Sequence, residues 1–281
     1  MGSEAIGRHV SQVFWWFLSV GLFFGIWELT YALGLYTAEV LPPPHVFFPD
    51  FPNQARSFDF GSQIAGQTAA SNALIAVVNT ALATIMRVVA GLGLGFVLGV
   101  LTGALIRYFG WFGKLTLPTI TLLAPISPFA WLPVAVYLFG IGDAPAIFLV
   151  FVAVYFIIVL ATIAEIDGVS VTYLHVARIM GASRPQTYLQ VILPAVLPGL
   201  FMILRLNLFA AWMIVLIAES AGSDSGLGAV VMLARNTANN NLVFLGIVVI
   251  GVIGFGFDVA LRYVQRRMLY WIPEVQASLQ K

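Results

Sequence analysis

The sequence AEIDGVSVTYLHVARIMGASRPQTYLQVILP, residues 164–194, is a polar interruption between long apolar runs. At about 100° per residue, its middle reads as an amphipathic helix whose apolar side is formed by Leu174, Val176, Ala177 and Met180. His175 and Arg178 occupy the other side. The helix should stop at Gly181, which tolerates a left-handed cap, and at Pro185, which cannot continue a hydrogen-bonded turn. Taken alone, this pattern fits either an ordinary surface connector or a docking element.

Composition identifies the class of protein. The chain has 281 residues, of which 60% are hydrophobic and only 9% charged, with a mean hydropathy of +0.98. No water-soluble domain carries such a surface, so we expect an integral membrane protein. A net charge of +1 implies neither nucleic acid nor an acidic surface as a partner. The absence of Cys excludes disulfides, thiolate metal sites and Cys nucleophiles.

Six apolar runs are long enough to cross about 30 Å of hydrocarbon. They lie at 13–34, 88–106, 118–139, 144–163, 195–219 and 242–263. The sequence therefore predicts an all-α membrane protein with six transmembrane helices. Residues 64–86 are also mostly apolar, and we expect them to lead into the second span or to belong to it. The alternative is a seventh crossing, which would place the two termini on opposite sides.

Basic residues predict the orientation, because cytoplasmic loops carry an excess of Lys and Arg. With the N-terminus inside, nine of the 13 basic residues are cytoplasmic: Arg8, Arg107, Lys114, Arg178, Arg184, Arg262, Arg266, Arg267 and Lys281. Only Arg56 and Arg235 fall in external loops. We thus divide the chain into a tail, first helix and external loop (1–63), a core with a cytoplasmic loop at 164–193 (64–265), and a cytoplasmic tail (266–281).

The spacing within this cytoplasmic loop resembles the signature of ABC-importer permeases, the inner-membrane components of binding-protein-dependent transport. That signature reads Glu-Ala-Ala, three residues, Gly, nine residues, Ile, one residue, Leu-Pro. The matching residues are Ala177, Gly181, Leu193 and Pro194. The replaced ones are His175 for Glu, Val176 for the first Ala and Val191 for Ile.

Further segments resemble the nitrate, bicarbonate, sulfonate and taurine group of these permeases. PISPFAWLPVAVYLFGIG at 125–142 looks like that group's third span, LRLNLFAAWMIVLIAES at 204–220 like its fifth, and SGLGAVV at 225–231 like the external turn that follows. The Pro-rich loop 35–63 is also typical of the group and should be external. The resemblance covers roughly residues 80–265.

The resemblance implies a type I ABC importer permease fold in a bacterial inner membrane, with both termini cytoplasmic. Two copies would form the pore, two separate ATPase subunits would bind ATP–Mg, and an external binding protein would deliver the solute. The chain itself would be no enzyme and would hold no cofactor. The residues implied in ATPase coupling are His175, Ala177, Arg178, Met180, Gly181, Ala182 and Ser183. The solute implied is a small anion, nitrate or bicarbonate first and a sulfonate such as taurine second.

Two spans contain candidates for the translocation path. In the third span, Pro118, Pro125, Pro128 and Pro133 each remove a backbone donor, which lipid tolerates only beside protein or a water-lined cavity. Ser127 and Trp131 would then line the path, unless this is merely a kinked packing helix. In the fifth span the candidates are Arg205, Trp212 and Glu219.

Structural ion pairs are the alternative for the charges within spans. Arg205, near mid-membrane, suits an anionic solute or a partner such as Glu28, Glu219 or Asp258. Arg87 and Glu28 could pair with Glu219 or with each other, and Asp258 has the spacing for an intrahelical pair with Arg262.

Other patterns limit the function. Gly91, Gly95, Gly99 and Gly103 recur every four residues and predict close helix packing rather than a nucleotide loop. No G-x-x-x-x-G-K-[ST] occurs, so ATP must bind a partner. His9, His45 and His175 form no metal-binding pattern. A secondary transporter or channel without ATPases stays open as an alternative, and would predict an inverted repeat or broken spans in matching positions.

Overall fold

A computed structural model describes residues 2–59 and 72–268 of the chain, with side chains described from Phe14 onward. Those residues form helices and connecting loops, and none of them lies in a β-strand. The nine helices of eight residues or more are α1 Gly2–Ala32, α2 Ala73–Tyr108, α3 Gly110–Leu123, α4 Leu132–Phe139, α5 Asp143–Asp167, α6 Val171–Ile179, α7 Leu193–Gly222, α8 Leu227–Asn236 and α9 Asn240–Met268. Shorter helical segments are Pro44–Phe47, Phe51–Gln54, Arg184–Gln186, the 3₁₀ turns Ala55–Asp59 and Pro128–Trp131, and the π-helix Thr187–Ile192.

Four of the six predicted spans are confirmed in position. Among the described residues, the helices long and apolar enough to cross a bilayer are α2, α5, α7 with its lead-in from Arg184, and α9. They cover the second, fourth, fifth and sixth predicted spans. Helix α1 covers the first, and most of its large apolar side chains from Phe14 onward are exposed, as lipid contact requires.

The third predicted span, 118–139, is not one helix. Its two halves, α3 and Pro128–Phe139, meet at a bend of 96°. Pro125 and Pro128 lie at this break and offer no backbone N–H to carry a helix across it, whereas Pro133 sits in the first turn of α4, where no donor is needed. The expectation of a single continuous helix is therefore wrong, because the prolines are close enough together to end one helix and start another.

Residues 73–86 belong to the second span, because α2 runs without interruption from Ala73 to Tyr108. They form no seventh crossing. The remainder of the segment predicted at 64–86, residues 64–71, lies outside the described residues, as do residues 269–281 of the predicted C-terminal tail.

The glycine repeat of α2 packs against α5. Gly91, Gly95, Gly99 and Gly103 are buried there. A Cβ on Gly91 would lie 2.6 Å from Cβ of Val150, and one on Gly103 would lie 2.6 Å from Cβ of Thr162. Real Cβ atoms do not approach so closely, so the two helices touch through backbone. The predicted packing role is confirmed.

Exchanging one of these glycines for alanine tests the contact. Gly91→Ala should lower the melting temperature of the detergent-solubilised protein, because overpacking of this kind costs about 1–3 kcal/mol. The matched control is Gly93→Ala, since Gly93 lies on the same helix and none of the described atoms is within 4 Å of its Cβ position. That variant should melt at or above the wild-type temperature. Equal melting temperatures for the two variants would contradict the packing assignment.

Candidate functional site

Helix α6 is a short helix with defined caps at both ends. Ser170 caps its start by accepting a hydrogen bond from the N–H of Thr172 at 3.3 Å. At its end Gly181 has φ +75, its N–H donates to Arg178 O, and the N–H of Ala182 donates to Ala177 O, each at 3.0 Å. This paired arrangement is a Schellman motif, for which glycine is the usual residue. The predicted stop at Gly181 is confirmed.

Pro185 begins the next helical segment rather than ending α6. The N–H of Ser183 donates to Oε1 of Gln186 at 2.8 Å, and Ser183 and Gln186 form a capping box with Pro185 in the first turn. The role expected for Pro185 was therefore wrong. The consequence is that α6 connects to α7 through a second capped turn and not through a loose loop.

The two sides of α6 differ from the expected division. Leu174 packs against Ile192, Val196 and Leu200 at the base of α7, and Ala177 is buried. Val176 and Met180 were expected on that same side but are exposed, Met180 by 80%. The expected apolar face is thus wrong for these two residues, since only Leu174 and Ala177 hold α6 to the bundle.

The exposed side of α6 is apolar as well. Its exposed apolar residues are Val171, Tyr173, Val176, Ile179 and Met180, with Ile179 exposed by 85%, and Thr172, His175 and Arg178 are exposed with them. Apolar side chains grouped in this way on a helix outside the bundle are typical of a surface that binds another protein. Sequence reasoning missed Ile179, although its position two residues after the buried Ala177 places it on the opposite side of the helix.

The predicted coupling residues lie together in this loop with different exposures. His175, Arg178, Met180, Gly181 and Ser183 are exposed, Ala182 is half-buried, and Ala177 faces the bundle. Ala177 therefore positions the helix, whereas the exposed residues are available to a partner.

Arg205 is paired with Asp258 of α9, one of the three partners considered for it. Its Nε donates to Oδ1 of Asp258 at 3.1 Å, and Arg262 contacts Oδ2 of the same carboxylate at 2.5 Å, as its spacing predicted. One carboxylate thus faces two guanidinium groups. The Arg205 side chain is 30% exposed, so this group of three carries an excess positive charge that is accessible.

Glu219 lies in a buried network at the end of the bundle opposite α6. Its side chain is fully buried, with Oε1 2.5 Å from Nη1 of Arg87. Its Oε2 accepts from Thr84 Oγ1 at 3.0 Å and from the N–H of Gly228 at 2.9 Å. The pairing with Arg87 was among the expected alternatives, and Glu28 instead binds His45 at 2.9 Å. Both oxygen atoms of the Glu219 carboxylate therefore already accept hydrogen bonds from groups of this chain.

The remaining path candidates differ in their exposure. Trp212 is buried and packs against α9, its ring centroid 6.2 Å from that of Phe257. Ser127 is exposed at the break between α3 and α4, and Trp131 is partly buried against the main core. Glu219 and Trp212 are buried, so Ser127 and Arg205 are the more accessible of the path candidates. Among the described residues, no cluster of His, Asp or Glu could hold a metal ion.

Relatives with named functions match most of the chain. SsuC of Bacillus subtilis, provisionally named as an aliphatic sulfonates transport permease, is 30% identical over 88% of this chain and 83% of its own length. The taurine transport system permease TauC of Escherichia coli is 36% identical over 57% of this chain and 58% of its own. The nitrate import permease NrtB of Synechococcus elongatus is 26% identical over 79% of this chain and 75% of its own.

The fold has a counterpart among solved structures. A chain of the MetNI methionine ABC transporter, in an inward-facing conformation, superposes with a TM-score of 0.53 over 66% of this chain and 95% of its own, at 20% identity. The fold is accordingly that of a type I ABC importer permease. A family model described as the binding-protein-dependent transport system inner membrane component matches residues 95–270, more than half of the chain, and the chain belongs to this family.

Proposed function

We propose that this permease subunit imports a small oxyanion and is driven through α6 by separate ATPase subunits that hydrolyse ATP–Mg. The single observation that supports the coupling role is the exposed apolar side of α6, which is anchored to the base of α7 through Leu174. A partner bound there would act directly on a membrane-spanning helix. The exposed His175 and Arg178 add polar groups to the same surface.

The proposed solute follows from the relatives and from charge. SsuC, TauC and NrtB are named for sulfonates, taurine and nitrate, which share an anionic group with several oxygen atoms. The excess positive charge of Arg205, Asp258 and Arg262 suits such an anion. We rank a sulfonate ahead of nitrate or bicarbonate because SsuC and TauC have the higher identity, and this reverses the order expected from the third span.

The proposed assembly contains two copies of this chain, two ATPase subunits and an external binding protein in a bacterial inner membrane, with both termini cytoplasmic. The basic residues of the loops support this orientation. The alternative of a secondary transporter has less support, because broken spans should then occur in matching positions and the described residues contain one bent pair.

Gly181 provides the test of coupling. Gly181→Arg should lower taurine-stimulated ATP hydrolysis and taurine uptake at least tenfold in proteoliposomes of the whole complex, because a long side chain would project into the docking surface. No atom of the described residues lies within 4 Å of its Cβ position, so the internal cost seen there is that of the left-handed backbone, about 1–2 kcal/mol.

Gly34→Arg is the matched control. Gly34 also has a left-handed backbone, φ +70, with no atom of the described residues within 4 Å of its Cβ position, but it lies after α1. It should retain stimulation and uptake. Normal stimulation in Gly181→Arg, at equal membrane levels, would contradict the docking role of this loop.

Stoichiometry is tested by native mass spectrometry of the purified assembly. We expect two copies of the chain, because the ATPases need paired sites and the translocation path would lie between two permeases. An assembly with one copy, and no second permease of the same family, would refute this arrangement.

Arg205→Met tests the path, since it keeps length and apolarity but removes the charge. Uptake of taurine and nitrate should fall about tenfold or more with membrane levels unchanged, while Arg205→Lys should retain part of the uptake. Arg235→Met, at the exposed end of α8, is the control. Loss of the protein from the membrane would instead assign Arg205 to a structural ion pair, and efficient uptake by the wild type of a solute without an anionic group would end the anion proposal.

A further inference from the structure

The segment between α6 and α7 contains a π-helical turn, Thr187–Ile192. In this turn the N–H of Leu193 donates to Tyr188 O, five residues earlier. The next residue, Pro194, has no N–H, and in an ordinary α-helix its ring would clash with the carbonyl of Gln190. The π turn accommodates this proline, and turns of this type are frequent at functional sites.

Tyr188, within this turn, contacts the end of α2. Its hydroxyl donates to Arg107 O at 3.0 Å. Arg107 is the penultimate residue of α2, and the last four carbonyl groups of a helix lack intrahelical donors. The Tyr188 hydroxyl therefore acts as a side-chain cap for a membrane-spanning helix that is distant from it in sequence.

The ring of Tyr188 adds further contacts. It meets the ring of Tyr108 edge to face, with centroids 4.9 Å apart. It also packs against the cluster that joins Leu174 of α6 to Ile192 and Val196 at the base of α7. One side chain thus touches the end of α2, the base of α7 and the neighbourhood of α6.

We propose that Tyr188 is a positioning residue for transport coupling, whose hydroxyl transmits a displacement of α6 to the end of α2. Helix α7 follows α6 through the chain itself, whereas α2 has no covalent link to α6. The end of α2 is joined to this loop by the Tyr188 hydroxyl bond, beside the more exposed ion pair between Arg107 and Asp167. The inference rests on the proposed docking of ATPase subunits on α6. It adds the route by which α2 moves together with α7.

Tyr188→Phe tests the route, because it retains the ring and removes only the hydroxyl. The matched control is Tyr155→Phe, which removes another hydroxyl bond to α2, from Tyr155 to Thr102 Oγ1 at 3.2 Å, away from the coupling loop. Both variants are assembled with the partner ATPases and binding protein in proteoliposomes. The first measurement is the number of ATP molecules hydrolysed per taurine imported, and melting temperatures are recorded in parallel.

The second measurement needs no transported solute. Amide hydrogen exchange of the complex is compared with and without ATP and vanadate, in α6 and in the last turn of α2. In the wild type and in Tyr155→Phe, exchange should change in both segments. In Tyr188→Phe it should change in α6 alone. The ATP consumed per taurine should rise about fivefold, which is the factor by which losing one hydrogen bond changes an equilibrium constant.

The outcomes separate the two levels of the argument. If ATP and vanadate leave the exchange of wild-type α6 unchanged, the docking proposal fails and this inference falls with it. If α6 responds but Tyr188→Phe behaves like Tyr155→Phe in both measurements, only the role of Tyr188 is overturned. The same holds if Tyr188→Phe lowers melting temperature, uptake and hydrolysis in proportion, since that would indicate a merely structural contact.

Discussion

The ion pair between Arg87 and Glu219 constrains the whole bundle. Both residues are almost completely buried, at 3% and 1% exposure, within a protein that spans a membrane. An unpaired charge in such a place is expensive, and breaking a buried pair costs about 3–5 kcal/mol. The two charges must therefore be brought together and every remaining bonding position filled. Thr84, Asp143, Ser225 and the N–H of Gly228 fill them, which fixes α2, α5, α7 and the start of α8 around one point.

This constraint explains the turn between α7 and α8. Gly226 has φ +107, and a Cβ there would lie 2.3 Å from the carboxyl carbon of Glu219. A Cβ on Gly228 would lie 2.1 Å from Leu216 O. The sequence SGLG at 225–228 is therefore required to wrap closely around the carboxylate. A segment that resembles an external turn of other permeases thus owes its glycines to a structural ion pair, and this argues for a structural role of Glu219 ahead of contact with solute.

The accuracy of the sequence predictions depended on whether the deciding signal was local. Apolar runs located the spans, and the glycine repeat of α2 predicted its packing, because both patterns repeat along one helix. Pairings between helices were left open: Arg87 had two candidate partners and Arg205 three. Arg87 and Glu219 are 132 positions apart, and nothing in the sequence indicates which residues so far apart come into contact. The faces of α6 were wrong for the same reason. Periodicity separates apolar from polar residues. It does not distinguish an apolar side chain that packs against the bundle from one that is exposed and could bind another protein.

The two ends of the bundle are held by interactions of different strength. At the end opposite α6, charged groups are buried and their pairing is costly to disturb. At the α6 end, Arg107 and Asp167 form an ion pair with side chains 36% and 52% exposed, and pairs of that kind contribute about 0–1 kcal/mol. The other contacts described at this end are uncharged: the Tyr188 hydroxyl bond, the ring contact between Tyr108 and Tyr188, and the packing of Leu174 and Ala177. We infer that force applied at α6 rearranges the contacts at this end first. The buried network keeps α2, α5, α7 and α8 together at the opposite end. The helices of the core would then rotate about the Arg87–Glu219 network without moving apart there.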